Sequence, residues 1–275
     1  MIALCKVMEV SSSAFYAWAK APICTDKKIR QKQLEVKAIQ LFEDNKKIYG
    51  SRRLSEAFID EDIKVGRFKA RQLMRKLALK PRYPKRFQVT TDSNHNEAIA
   101  PNTLSRQFDV AQPNKVWTTD ITYVWTLEGW LYVAVVIDLF SRQVVGWSID
   151  DHMRTSLCVN ALQMAFWRRK PDPGLLHHSD RGSQYASKEY RKHLSLMRMQ
   201  QSMSRKGNCW DNAPTERFFR SLKHEQINYE RFKTKESAKL SIIDYLAFYN
   251  GKRLHSKIGY QSPLEYEREF YKESA

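Results

Sequence analysis

Three carboxylates stand in three separately recognisable settings: Asp120 in WTTDITY, Asp180 in HHSDRGSQY and Glu216 in DNAPTERFF. Acids that are distant in sequence but gathered by a fold are what a divalent-metal phosphoryl-transfer site requires. Mg²⁺ takes carboxylate oxygens and keeps water and phosphate as its remaining ligands. Two such ions can activate an attacking oxygen and stabilise the leaving one in an in-line displacement. The chain carries a formal charge of +17 over 275 residues, so the phosphate is expected to belong to nucleic acid. Lys and Arg are spread over the N-terminal third, residues 191–206, residues 217–239 and the C-terminus rather than one tail. That distribution suits a polyanion with an extended path, DNA or RNA.

Each acid also has a plain structural reading. Asp120 interrupts an apolar and aromatic run, where a charge is expensive unless paired or bound to metal. Asp180 could be a turn residue before Gly182, and Glu216 a first-turn acid favoured by the helix dipole. Competing acids (Asp109, Asp138, Asp150, Asp151 and Asp211) fall at turns, strand ends or a helix N-cap and are read as structural. His177 and His178 read as strand residues, Phe218 and Phe219 as core.

The elements that must position the trio follow from patterning. VWTTDITYVW, WLYVAVVID and QVVGWSID are three β-rich runs separated by LEG and LFSR turns, which predicts an antiparallel meander. Residues 155–169 read as an amphipathic helix ending before Pro171 and Pro173. Leu175–His178 is a short strand leading to Asp180, residues 187–196 are helical again, and 199–203 form a fifth strand. The loop Gly207-Asn208-Cys209-Trp210 leads into a helix capped by Asp211 or Asn212, with Pro214 in its first turn. The order β-β-β-α-β-α-β-α predicts a mixed α/β layer architecture, assigned to residues 113–230.

Upstream, residues 1–25 form a helical segment and 26–80 a helical region broken at Tyr49-Gly50-Ser51. Leu54, Ala57 and Phe58 fall at i, i+3, i+4, and Ala70, Leu73, Met74 and Leu77 repeat the pattern. Arg67, Arg71 and Arg75 share the opposite face. Two short helices with a basic second one resemble a helix-turn-helix; an ordinary helical hairpin with a solvated face is the bland alternative. Residues 81–112, with Pro81, Pro84 and Pro101, read as a linker, and 231–275 as a C-terminal helical extension. The four cysteines form no CxxC pair, which argues against a zinc ribbon or disulfide framework and for a reducing compartment. The longest apolar run, Trp130–Ile137, is too short to span a bilayer. With no signal peptide read at the N-terminus, the expected location is the cytoplasm.

Five ordered motifs carry a resemblance: W-x-x-D-I-T-Y, V-I-D-x-x-S-R-x-x-V-G-W, H-S-D-x-G-x-Q-Y, G-x-x-x-D-N-A-P-x-E-x-F-F and Y-N-x-x-R-x-H. From about Tyr49 to Pro263 the chain resembles the DDE transposases encoded by the second reading frame of bacterial two-frame insertion sequences. Through the same core it also resembles retroviral integrases, although their His/Cys zinc module is absent and the helix-turn-helix-like segment takes its place. The resemblance implies an RNase H-like fold, a mixed five-stranded sheet with flanking helices, preceded by a helix-turn-helix-like domain. It implies that Asp120, Asp180 and Glu216 bind the catalytic Mg²⁺ or Mn²⁺, two ions, to cut element-end phosphodiesters and join the 3′-OH to DNA.

Around this trio, Lys223 lies two helical turns past Glu216 on the same face and can meet a phosphate. Arg220, at i+4, could contact DNA or pair with Glu216. Asn208, Trp210 and Asn212 are expected to form a loop at the mouth, where Trp210 could stack on a base or simply pack. Arg253 and His255 are expected at the substrate end, and Arg67, Arg71 and Arg75 along DNA. Expected partners are double-stranded DNA, a second copy of the chain on that DNA, and the first-frame product, including as a frameshift fusion that the abrupt start at Met1 fits. Two rivals remain: an RNase H-like nuclease without joining, and a non-catalytic DNA-binding repressor of the element.

Overall fold

The structure is a computed structural model that describes residues 2–20, 26–82 and 98–273. Cys24, Pro84, the side chain of Cys209 and most of the polar stretch of the expected linker lie outside the described residues. The chain divides into two compact units, residues 1–44 with 50–80, and residues 45–49 with 81–275.

The first unit is helical: α1 (Ile2–Val7), α2 (Ser12–Lys20), α3 (Asp26–Asp44), α4 (Ser51–Ile59) and α5 (Arg67–Lys76). The single helical piece expected at the N-terminus is two helices, broken where Glu9 takes a positive φ of 51°. Ala38, Leu41 and Phe42 of α3 are buried with Leu54, Ala57 and Phe58 of α4 and Ala70, Leu73 and Met74 of α5, the positions that the periodicity selects. Gly50, not Ser51, caps α4, with no side-chain cap bond. The turn between α4 and α5 is tied by the Ser55 hydroxyl, which donates to the Val65 carbonyl at 2.7 Å. Arg67, Arg71 and Arg75 all lie exposed on α5.

The second unit is built on one five-stranded sheet: β1 (Val116–Thr126), β2 (Gly129–Asp138), β3 (Val144–Asp150), β4 (Leu176–Ser179) and β5 (Gln200–Met203). Its order is β3-β2-β1-β4-β5. The first three strands are an antiparallel meander, and β4 and β5 join in parallel. The helices are α6 (Thr155–Arg169), α7 (Ser183–Ala186), α8 (Lys188–Leu196), α9 (Ala213–Glu225), α10 (Lys235–Gly251) and α11 (Pro263–Glu273). Helix α6 packs on β2 and β3 while α9 and α10 pack on β1. β2 therefore reads as a continuous apolar run, because nearly every residue from Leu131 to Asp138 is buried.

On the α6 side, Trp117, Val136 and Val145 meet Leu157, Cys158, Ala161 and Leu162, with Tyr185, Tyr190 and Leu194 closing the layer. Gly146 makes that packing possible. A Cβ there would lie 2.3 Å from the Ala161 carbonyl oxygen and 2.7 Å from Ala165 Cβ. Asp138, at the end of β2, is buried and accepts bonds from the Asn114 and Phe140 amides at 2.7 and 2.9 Å, so it organises the turn into β3.

The described end of the expected linker is not loose. Leu104 is buried, the amides of Thr103 and Leu104 donate to Ser202 Oγ, and Asn102 Nδ2 donates to Asp211. Apart from the Met203 amide, which donates to the Pro101 carbonyl at 3.3 Å, these bonds involve side chains and form no ladder, so the segment shows no period.

Candidate active site

Strand register brings two of the three acids together. In the parallel pair, Val116, Trp117 and Thr118 lie opposite Leu176, His177 and His178. Two residues past the last of these pairs, on both strands, stand Asp120 and Asp180. Neighbouring strands run about 4.7–4.9 Å apart, so the two carboxylates emerge side by side where β4 stops and β1 continues. Each is aimed by a backbone amide: Ile121 N–H donates to Asp120 Oδ1 at 2.8 Å, and Gly182 N–H donates to Asp180 Oδ1 at 2.9 Å. At Gly182 a Cβ would come within 3.0 Å of that same carboxylate oxygen.

Helix α9 delivers the third acid. Thr118 and Asp120 share one face of β1, because side chains alternate along a strand. The Thr215 hydroxyl donates to Thr118 Oγ1 at 2.7 Å, and Asn212 Nδ2 donates to the Thr119 carbonyl at 3.0 Å. The start of α9 is thus pinned to β1 beside Asp120, with Glu216 in its first turn. Sequence reading sets Asn212 at the mouth of the site but passes over Thr118 and Thr215, although the DNAPTE spacing places Asn212 and Thr215 within one turn of the acid.

The electrostatics are those of crowded, under-compensated negative charge. Asp120 is held well above the usual carboxylate range, first by burial, then by the charge of Asp180 and that of Glu216. Glu216 is raised by burial and by Asp180. Burial lowers Lys223, and Asp120 pulls it back up. The Lys223 ammonium also lies 4.5 Å from the centre of the Tyr123 ring. Three mutually repelling oxygen ligands at a partly open site are the donor set for a hard divalent cation. A second acidic group, Asp150, Asp151 and His152, brings its ligand atoms within 4.8 Å of one another. It shares no residue with the trio; His152 pairs with Asp150 inside the group at 3.4 Å, and Asp151 pairs outside it with Lys235 at 3.4 Å.

The loop before α9 is anchored by Asp211. Its buried carboxylate takes bonds from Arg205 Nε and Nη2, the Arg205 amide, Arg106 Nε and Asn102 Nδ2. The Arg205 bonds hold its carboxyl far below the usual range. Asp211 is therefore a clamp rather than the N-cap considered from sequence. Asn208 Oδ1 accepts from Arg106 Nη2 at 2.9 Å, and Trp210 stands 69% exposed. Arg220 is exposed and forms no ion pair with Glu216 among the described residues.

Arg253 is placed differently from the expectation that it meets substrate, and His255 is half-buried beside it. Arg253 is buried, and its guanidinium donates to both oxygens of Glu225, from Nε at 2.7 Å and Nη2 at 2.6 Å. Its Nη1 donates to His255 Nε2 at 2.9 Å. A guanidinium so occupied ties α9 to the segment after α10 and is not presented to a phosphate. His177 and His178 are core groups: burial lowers them to about 3 and about 4, and Tyr190, Ser202 and Ser204 are their partners.

Comparison with known proteins agrees with this geometry. The family described as integrase core domain matches residues 110–209, a second family of that description matches 197–263, and an HTH-like domain matches 28–87. The chain is 38% identical over 274 residues to "Insertion element IS600 uncharacterized 31 kDa protein" of Shigella sonnei, covering 99% of this chain and 100% of that protein. It is 37% identical over 268 residues to "Transposase InsF for insertion sequence IS3A" of Escherichia coli (strain K12), covering 96% and 93%. A chain in the structure of the simian T-cell lymphotropic virus intasome in complex with PP2A regulatory subunit B56 gamma aligns with a TM-score of 0.51 at 15% identity. That alignment covers 80% of this chain and 70% of the other, a likeness of fold. Among the described residues no helix is long and apolar enough to cross a membrane. An integrase core with three converging acids, an HTH-like domain and such relatives end to end identify the chain as a member of the IS3-type insertion-sequence transposases.

Proposed function

We propose that this transposase hydrolyses the phosphodiester at an element end and then joins the freed 3′-OH to target DNA, both at Asp120, Asp180 and Glu216. The observation that carries the reading is the matched placement of Asp120 and Asp180 beyond the β1–β4 register, with α9 pinned alongside. The trio would hold two Mg²⁺ or Mn²⁺ ions, which when bound supply Lewis acidity to the attacking oxygen and charge neutralisation to the leaving one.

The protein's own part is positioning. The amides of Ile121 and Gly182 fix the two aspartates, and Asn212 and Thr215 fix Glu216. Lys223 meets a phosphate oxygen next to the reacting one. In the first step water displaces the 3′ oxygen of the element end; in the second that 3′ oxygen displaces a 3′ oxygen of the target. No side chain becomes covalently attached, so rate comes from alignment and electrostatic stabilisation. Arg220, Asn208 and Trp210 border the DNA path at the site, while Arg67, Arg71 and Arg75 follow the backbone along α5. The enzyme acts as a homo-oligomer on paired element ends at the bacterial nucleoid, with the first-frame product as partner or fused upstream.

The test uses the element's own terminal DNA, intact to score hydrolysis and pre-nicked to score joining, with Mg²⁺ or Mn²⁺. Single Asn or Gln variants of the trio are expected to lose hydrolysis and joining together while retaining DNA affinity in gel shifts. A variant that still joins at near-normal yield removes its residue from the site. Hydrolysis without joining by the unaltered protein identifies a nuclease, and binding without either step a repressor.

A further inference from the structure

A cleft of about 660 Å³ opens between the far half of the β1–β2 ribbon and the segment that follows α9. β4 pairs with β1 only as far as Thr118, whereas β1 and β2 stay paired to Thr126 and Gly129. The ribbon therefore projects past the acids and shows an aromatic face. Trp125 and Trp130 are 56% and 44% exposed there. Their rings lie 4.8 Å apart between centres, and Tyr123 meets Trp130 edge-on at 5.0 Å.

The opposite wall is fixed to the ribbon. Leu127 N–H donates to the Phe232 carbonyl at 3.1 Å, and Lys235 N–H donates to Glu128 at 2.7 Å. Lys223, Arg231 and Lys233 line the cleft. Glu230 lines it too, but its carboxylate accepts bonds from Ser241 and Gln226. The cleft thus pairs exposed indoles with a surplus of cations. Lys223 lines the cleft and also lies within the field of Asp120.

Exposed indoles beside cations at a phosphodiester-cutting site fit unpaired nucleotides: any base has a face to stack on an indole, and its phosphates meet the ammonium and guanidinium groups. The volume falls within the roughly 300–1,000 Å³ typical of ligand pockets, room for a nucleotide. An apolar partner segment would fill the same cleft but leave Arg231 and Lys233 without counter-charge. We propose that the cleft is a single-strand subsite, in which Trp125 and Trp130 stack on bases unpaired next to the reacting phosphodiester while Arg231 and Lys233 hold the phosphates. This rests on the acid-site reading above.

The test uses the full chain and two labelled probes, a ten-residue oligothymidylate and a blunt duplex of unrelated sequence, with anisotropy as readout. Trp125→Ala is expected to weaken oligothymidylate binding by about 5- to 150-fold, the range for loss of one stacked base, and duplex binding by less than twofold. Trp125→Phe should restore most of it. Arg231→Glu with Lys233→Glu, exposed changes outside the core, should weaken the single strand selectively and flatten its salt dependence. Unchanged oligothymidylate affinity in these variants, or an equal loss on both probes, overturns the subsite and assigns the indoles to a protein partner or to packing. Metal-dependent joining by the same unaltered preparation reads the acid site separately. Its failure sinks that reading, whereas intact joining with unaffected single-strand binding sinks the cleft alone.

Discussion

Replacing Arg253 by Met separates a scaffold role from a DNA contact. Helix α9 carries Glu216 in its first turn and Glu225 at its last residue. Glu225 accepts two bonds from the Arg253 guanidinium and one from the Tyr245 hydroxyl at 2.6 Å, all buried. Arg253→Met leaves that carboxylate buried without the guanidinium that balances its charge. Breaking a buried pair from one side costs about 3–5 kcal/mol. For a unit of this size each kcal/mol moves Tm by about 2–4 °C, so the melt should fall by roughly 6–20 °C. Glu225→Gln strands the guanidinium instead and should cost a similar amount. The double variant buries no charge and should cost well under the sum of the two, a coupling read from a double-mutant cycle. The measurements are urea and thermal melts of the four proteins, with oligonucleotide affinity measured at a temperature where all are folded. A loss below about 1 kcal/mol for Arg253→Met, together with weakened DNA binding, would refute the scaffold argument and return Arg253 to the DNA path.

Other outcomes follow from the same structure. Metal-free stability should fall as pH rises from the unfolded carboxylate value near 4 through the raised folded value of Asp120, since the native state keeps a proton that the unfolded chain has released. Asp120→Asn should flatten this part of the pH profile in thermal melts, and Mg²⁺ should stabilise the unaltered protein far more than the variant; a profile identical in both proteins contradicts the burial and repulsion at Asp120. Gly146→Ala should cost about 1–3 kcal/mol by overpacking β3 against α6, and an unchanged urea midpoint would show that α6 can move aside. The triple Ala variant of Arg67, Arg71 and Arg75 should bind duplex more weakly, with the slope of log K against log salt smaller by about 0.9 per lost phosphate contact; unchanged affinity and slope leave α5 an ordinary solvated face.

What local pattern determines was legible. Helix α6 runs over Thr155–Arg169, the bounds that periodicity and the following prolines mark. The meander is where LEG and LFSR separate β-rich runs, because turn chemistry and strand alternation both act over a few residues. Inside residues 1–20 the serine run that could cap a second turn is where α2 starts, at Ser12, whereas Glu9 in a left-handed conformation is not a residue that composition flags.

What depends on distant partners was not legible from local pattern. Asp211 has the residue type and position of an N-cap, yet Arg205, Arg106 and Asn102 converge on it across loops. Arg253 sits in a motif that reads as substrate-facing, and only the fold supplies Glu225 as its partner. The trio lies between these cases. Each acid taken singly has a good structural alternative, and proximity comes from the β1–β4 register, which no short window contains. What the sequence does hold is the cost of the arrangement. A carboxylate inside WTTDITY is unfavourable for folding alone, and the structure worsens it by setting Asp180 and Glu216 within its field. A fold that gathers three such charges, and holds them there with Asn212, Thr215 and Gly182, carries the donor set that a hard divalent cation takes.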